Sequence, residues 1–244
     1  MPQVKQRVEL VRHTADGEAL TALAAKLCYA GGDVSALLER IQKNDQRAFI
    51  RKLLKMGHES VMEHISFTFL IEGVSRSLLA QLTRHRIASF SVQSQRYVGY
   101  ENGFGYIVPP AVETLGTEAV LEYTAQMDQI LLWYKDWQKK LGTNEDARFV
   151  LPNACETRLL MTMNVREIKH FLELRMCRRA QWEIRQLAET VFALCYAQTP
   201  ELFAEAGPGC LRGACPEGKK SCGQRNAVRM EREEFITAHE QSNL

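Results

Sequence analysis

Arg84-His85-Arg86-Ile87-Ala88-Ser89-Phe90-Ser91-Val92-Gln93-Ser94-Gln95-Arg96 is the stretch on which the reading of this chain turns. It begins where the helical spacing of Ser75 to His85, with Leu78, Leu79 and Leu82 on one face, gives way to a polar run from Ser89 to Gln95. Between Arg76 and Arg96 stand four arginines, one histidine and no carboxylate. A solvated face would intersperse acids, so the segment points to an anionic partner. Arginine's planar fork suits phosphate, and Ser94 adds a hydroxyl suited to the same oxygens. The alternative is a basic face that pairs with acids elsewhere in the fold.

The flanking sequence supplies the elements. Val4 to Val11 alternates loosely, as an edge strand does. Glu18–Tyr29, Ala36–Gln42 and Asp45–Met56 have helical spacing, the last stopped by Gly57. His64 to Ile71 is rich in β-branched and aromatic residues and reads as a strand, as does Thr157 to Val165. Glu113 to Leu141 is the longest predicted helix, with Val120, Met127, Leu131 and Tyr134 spaced for burial and Trp133 and Trp137 expected in the core. Arg166–Cys177 and Gln181–Ala197 complete the helices. The expected architecture is α+β, a single domain over residues 1–207 with a mainly antiparallel sheet flanked by helices. Residues 208–244 are expected to form an irregular, cysteine-containing tail.

The chain has 244 residues, enough for one large domain. Its net charge of +2 argues against bulk-charge coating of nucleic acid. No apolar run approaches the ~18 residues of a membrane span, and Met1 to Leu10 lacks the apolar block of a signal peptide. Cys28, Cys155, Cys177 and Cys195 stand singly and read as reduced core thiols, which places the protein in the cytoplasm, with no membrane partner.

Several chemistries fail by a residue. Gly103-Phe104-Gly105 begins a dinucleotide fingerprint, but its third glycine position holds Val108. His58, Glu59, Glu63 and His64 resemble a zinc-protease helix, yet HExxH needs histidine at Met62 and HxxEH needs it at Ser60. Cys210, Cys215 and Cys222 are spaced C-x4-C-x6-C with no histidine close by. Free thiols are the simpler reading, so no metal is expected.

Charge is concentrated by region. Asn164 to Arg185 holds six cations against three glutamates, and Arg212 to Arg232 holds six against two. Arg166 and His170 share a helical face, while Arg175, nine residues past Arg166, points roughly the opposite way. One helix therefore cannot offer both arginines to one small ligand from one side. Either it feeds two ligands, subunits share sites, or some of these arginines are structural.

The residues quoted first fit every fixed position of RHRxxSxxxxSxR, and the chain resembles the flavin-dependent thymidylate synthases. Gly57-His58-Glu59-Ser60 with Glu63-His64 is similar to the family's GHES/T…EH segment. Ala147-Arg148 through Leu151-Pro152 is similar to its AR-x-x-LP turn. Asn164-Val165-Arg166, His170-Phe171, Leu174-Arg175 and Gln181-x-Glu183-Ile184-Arg185 are similar to its C-terminal helices. The likeness runs from about Gln6 to Phe203.

The resemblance implies that dUMP becomes dTMP, with a methylene from 5,10-methylenetetrahydrofolate and a hydride from FADH2, the flavin being reduced by NADPH. It implies a homotetramer whose sites combine residues from several subunits. Ser60, Arg84, His85, Arg86, Asn164, Arg166 and His170 would hold FAD. Gln81, Arg84, Val92, Gln93, Ser94, Gln95, Arg96, Arg148 and Arg175 would hold dUMP, with Arg175 catalytic beside the uracil. The family departs from thymidylate synthases that attack uracil with a cysteine, and no cysteine lies in this signature. Ser94 has no adjacent base at a recognisable spacing, so phosphate binding is its favoured role over nucleophilic attack. Val92 stands where many members carry Glu or Gln, and Arg179 where some carry His. A second class, a non-catalytic nucleotide- or RNA-binding protein, would use the same arginines, but the low net charge and the defined spacing count against it.

Overall fold

A computed structural model describes residues 1–242. The fold is α+β, with a four-stranded antiparallel sheet in the order β1-β2-β4-β3. The strands are β1 (Arg7–His13), β2 (Ser66–Ser75), β3 (Ala88–Val92) and β4 (Glu156–Asn164). The helices are α1 (Gly17–Leu27), α2 (Val34–Lys43), α3 (Arg47–Lys55), α4 (Arg76–Leu82), α5 (Pro110–Glu113), α6 (Thr117–Leu141), α7 (Asn144–Ala147), α8 (Val165–Arg175), α9 (Trp182–Gln198), α10 (Pro200–Phe203) and α11 (Arg225–Ser242). None of the described helices is long and apolar enough to cross a membrane.

Contacts gather the chain into two compact units, Met1–Glu9 with Phe69–Met161, and Leu10–Thr68 with Thr162 onward. The first has a core of Tyr100, Phe104, Tyr106, Val108, Met127, Tyr134, Ala147 and Cys155. Tyr100 meets Phe104 and Tyr134 edge-on, with ring centroids at 5.8 and 5.9 Å, a favoured aromatic geometry. Gly73 in β2 has φ +64, and a Cβ there would lie 2.0 Å from the Lys5 carbonyl oxygen, so only glycine fits. In the second unit, Phe67 stacks on His13 and meets Phe203 edge-on. The buried residues Val165, Ile168, Phe171 and Leu172 of α8 and Ile184, Leu187, Ala188 and Val191 of α9 recur at helical spacing.

Four expectations are corrected. The run Ser89–Gln95 is not simply polar loop, because Ala88–Val92 forms β3, with alternating half-buried and exposed residues; its serines masked the period-2 pattern. The predicted helix Glu113–Leu141 is divided at Gly116, whose φ of +99 leaves the helical region. Trp133 and Trp137 are exposed rather than in the core, while Met127 and Tyr134 on the same helix are buried. Cys28, expected in the core, is also exposed.

The larger correction concerns the tail, expected to be irregular. It holds two short 3-10 turns, Gly209–Leu211 and Gly218–Lys220, and then the 18-residue α11. Val228, Arg232, Phe235 and His239 recur at i, i+4, i+7 and i+11, one helical face carried by two aromatic rings and a cation. Phe235 lies 5.1 Å from Phe192 and 5.6 Å from Tyr196 by ring centroids, and His239 lies 5.1 Å from Tyr196. The Arg232 guanidinium sits 3.5 Å above the centre of the Phe192 ring, a cation–π contact, and burial draws its pKa down to about 10. A sparse face of this kind escapes a count of aliphatic residues. Phe235→Ala should therefore free α11, lowering stability by about 2 kcal/mol. Hydrogen exchange would show the loss of protection confined to 225–242; unchanged protection would mean that Phe235 does not anchor the helix.

Candidate functional site

In the first unit, α4 is started by Ser75, whose Oγ accepts from the Leu78 N–H at 3.0 Å. Leu78 and Leu82 are fully buried, which turns the helix so that the segment after Leu82 emerges at the surface. His85 is buried between Arg84 and Arg86, both exposed. Neither arginine makes an ion pair or side-chain hydrogen bond among the described residues. Both guanidiniums are therefore available to an anion such as a phosphate.

The remainder of the signature is held from beneath. Gln81 on α4 donates its amide to the Ser77 carbonyl at 3.3 Å. Val92 ends β3 half-buried. The Gln93 backbone is fixed twice, its N–H to the Arg158 carbonyl at 3.0 Å and its carbonyl accepting from Arg76 Nη2 at 3.0 Å. Gln95 turns inward, its Nε2 lying 3.5 Å from the Tyr100 hydroxyl and 3.6 Å from Cys155 Sγ. The side chain of Gln95 is thus an anchor for the loop. Ser94 Oγ accepts from the Arg96 N–H at 3.2 Å and leaves its own proton to donate. No base is hydrogen-bonded to it among the described residues.

Arg96 and Arg148 meet at one acid that the sequence reading did not single out. Glu145 on α7 accepts from Arg96 Nη2 at 3.0 Å through its side chain and from Arg148 Nε at 3.0 Å through its carbonyl. This unit therefore brings Ser94, Arg96 and Arg148 into one cluster, with Glu145 as the internal counter-ion. All three charged side chains are reachable by solvent, so the ion pair is weak enough to exchange for a ligand dianion. A signal existed: Glu145 stands three residues before Arg148, a helical neighbour.

In the second unit, Asn164 caps α8, its Oδ1 accepting from the Glu167 N–H at 2.9 Å. Its oxygen is spent on the helix, leaving only the amide protons for a ligand. Arg166 is paired with Glu63 and lies 3.8 Å from Glu59, which brings it beside Ser60, at the start of a 3-10 turn. The alternative of an ion pair is thus realised at Arg166. His170 is exposed on α8, and Arg175 closes the last turn of that helix half-buried. Arg185 donates to the Arg178 carbonyl at 3.2 Å and Arg178 pairs with Glu231, so these two are structural. Lys169 is held by burial below the usual lysine range.

Two buried groups lie under the signature loop. Burial pushes the Tyr100 hydroxyl up to about 12 and the Cys155 thiol up to about 11, so both are neutral at physiological pH. The Arg76 guanidinium nearby has an Nε with no partner.

Each unit of this α+β fold thus carries its own set of the signature residues, Arg84, Arg86, Ser94, Arg96 and Arg148 in the first and Asn164, Arg166, His170 and Arg175 in the second. Residues 9–201 match the family described as "Thymidylate synthase complementing protein". The chain is 47% identical over 224 residues to a flavin-dependent thymidylate synthase of Geobacter sulfurreducens, covering 91% of this chain and 96% of the relative. It is 38% identical to one of Pyrococcus furiosus, covering 86% and 89%. Its fold is similar to that of a UMP/dUMP methylase, PolB from Streptomyces cacaoi, crystallised with 5-bromo-dUMP, with a TM-score of 0.71, 26% identity, and 82% and 94% of the two chains covered. The chain belongs to the flavin-dependent thymidylate synthase family.

The raised thiol makes a pH prediction. A neutral group whose folded pKa lies above its unfolded value favours the fold below the unfolded pKa, near 9, and this contribution is lost as pH rises through about 11. Denaturation between those limits should show stability falling with pH in the natural chain and falling less in Cys155→Ser. Equal slopes would exclude the thiol as the source.

Proposed function

We propose that this chain is a flavin-dependent thymidylate synthase, converting dUMP, 5,10-methylenetetrahydrofolate and reduced FAD into dTMP, tetrahydrofolate and oxidised FAD, with NADPH reducing the flavin. The observation that carries the reading is the pair of exposed, unengaged guanidiniums at Arg84 and Arg86 in the same unit as the Ser94–Arg96–Arg148 cluster, in a chain of this family. The working form is a cytoplasmic homotetramer whose subunits share sites, which would let the two faces of α8 serve different ligands.

Arg84 and Arg86, with His85, Ser60, Asn164, Arg166 and His170, would hold the flavin, which when bound supplies the hydride. Ser94 donates its hydroxyl proton to a phosphate oxygen of dUMP while Arg96 and Arg148 supply charge-assisted bonds. Glu145 gives up Arg96 as the phosphate arrives, so Arg96 is not a bare cation before the substrate binds. Gln81 and the backbone around Val92 and Gln93 orient the nucleoside. Arg175 stands beside the uracil and stabilises negative charge as N3 ionises, worth about 3 kcal/mol for a well-placed donor.

The test is the visible flavin spectrum of the purified protein and its perturbation by dUMP; a protein unable to bind FAD would end the reading. Arg175→Ala should lower dTMP formation by about 100-fold with flavin still bound, and retained turnover would remove Arg175 from its role. Ser94→Ala should weaken dUMP binding more than it slows the bound complex, whereas the reverse split would revive a nucleophilic serine. Steep salt-dependent binding of oligonucleotides without flavin would instead favour the nucleic-acid-binding class.

A further inference from the structure

Four of the seven cysteines belong to one neighbourhood of the second unit, and three of them, Cys210, Cys215 and Cys222, lie beyond the matched residues 9–201. Cys177 follows the end of α8, and Cys210, Cys215 and Cys222 lie on the loop that precedes α11. A Cβ placed on Gly209 would lie 3.1 Å from the Pro216 ring, so the residues next to Cys210 and Cys215 touch. The Cys222 limb is tied to the Cys177 limb where Arg179 donates to the Lys220 carbonyl. One side of α11 spans the remaining gap: Arg229 Nε donates to the Cys210 carbonyl at 3.1 Å, and Arg232 Nη2 lies 3.8 Å from Met176 Sδ, the neighbour of Cys177. Cys215, Cys177 and Cys222 each add to the upward displacement of the Cys210 thiol, beneath the larger effect of burial. None of the four is in a disulfide.

The loop's composition asks for a cross-link. Pro208 to Gly223 has no regular structure beyond two 3-10 turns and offers one large aliphatic side chain, Leu211. Its attachments are Arg212 to Glu173 at 2.9 Å and the arginine bonds to carbonyls. Two glycines at positive φ, Gly218 (+51) and Gly223 (+74), follow Cys215 and Cys222 and allow the tight turns that metal-binding thiols require.

We propose that Cys177, Cys210, Cys215 and Cys222 form a structural zinc site. Zn²⁺ takes four thiolates tetrahedrally, and each thiol releases its proton to solvent as its sulfur binds. The resulting centre carries two negative charges. Arg179, Arg212 and Arg229 surround it, which gives the basic stretch Arg212–Arg232 a role that the nucleotide site does not. Among the described residues no three metal-ligating groups lie close enough together to hold a metal ion, so binding requires at least two of the four thiols to move inward, the exposed Cys222 beside Gly223 among them.

The full chain, produced without a metal-affinity tag, should carry about one zinc per chain by elemental analysis. Titration with a mercurial should release that zinc as four thiols react. Cys210→Ser and Cys222→Ser should lower zinc content by about tenfold or more, and Cys28→Ser should leave it unchanged. Should the serine variants fail to fold, the natural chain still decides: less than about a tenth of an equivalent, both as purified and after reduction with added zinc, overturns the proposal. Zinc retained after all four thiols have reacted overturns it equally.

Discussion

A strand that runs straight into a helix must satisfy the first free N–H groups of that helix with a side chain, and this constraint sits under both arginine-bearing helices here. Ser75 ends β2 and caps α4, and Asn164 ends β4 and caps α8. In each case the cap fixes where the helix begins and therefore which residues reach its far end, Arg84 and Arg86 after α4 and Arg175 on α8. A slip of one residue at Ser75 would rotate the following helix by 100° and carry Leu78 and Leu82 out of the core. The catalytic assignment thus rests on two hydrogen bonds that touch no ligand.

The second constraint is the balance of cations against acids. Arg96, Arg166, Arg178 and Arg212 each have a carboxylate partner, whereas Arg84 and Arg86 have none among the described residues. Exposed pairs are worth little, about 0–1 kcal/mol, so paired arginines can be recruited by a dianion at small cost. Unpaired ones need no exchange at all. Charge counts along the sequence cannot make this distinction, because the acids responsible, Glu145, Glu63, Glu231 and Glu173, lie tens of residues away.

Legibility divides along the same line. β2 and β4 and helices α1, α2, α3, α8 and α9 were readable within a few residues because their apolar periodicity is strong. β3 was hidden by its serines and α11 by a face built on Arg232, Phe235 and His239. At the site, the identity of the signature residues was legible, but their employment was not. Nothing in the residue types says that Gln95 turns toward Tyr100 and Cys155, that the Asn164 oxygen is committed to a cap, or that Arg76 holds the Gln93 carbonyl.

That last contact explains how the loop leading into Ser94 can be held stiff. Arg76 has its Nε unpartnered and buried, a cost of about 1–3 kcal/mol that a neutral residue would avoid. Its positive charge also lowers the pKa of Cys155 and Tyr100, against the dominant effect of burial. The cation therefore sits where desolvation opposes it, and what it gains is a bond to the one carbonyl that leads into Ser94. A loop held by solvent-exposed bonds alone would have to be ordered by the ligand, and the entropy of that ordering would be subtracted from binding. Placing the unfavourable group beneath the loop moves that cost into folding, and the loop around Ser94 and Arg96 is ordered by the chain itself.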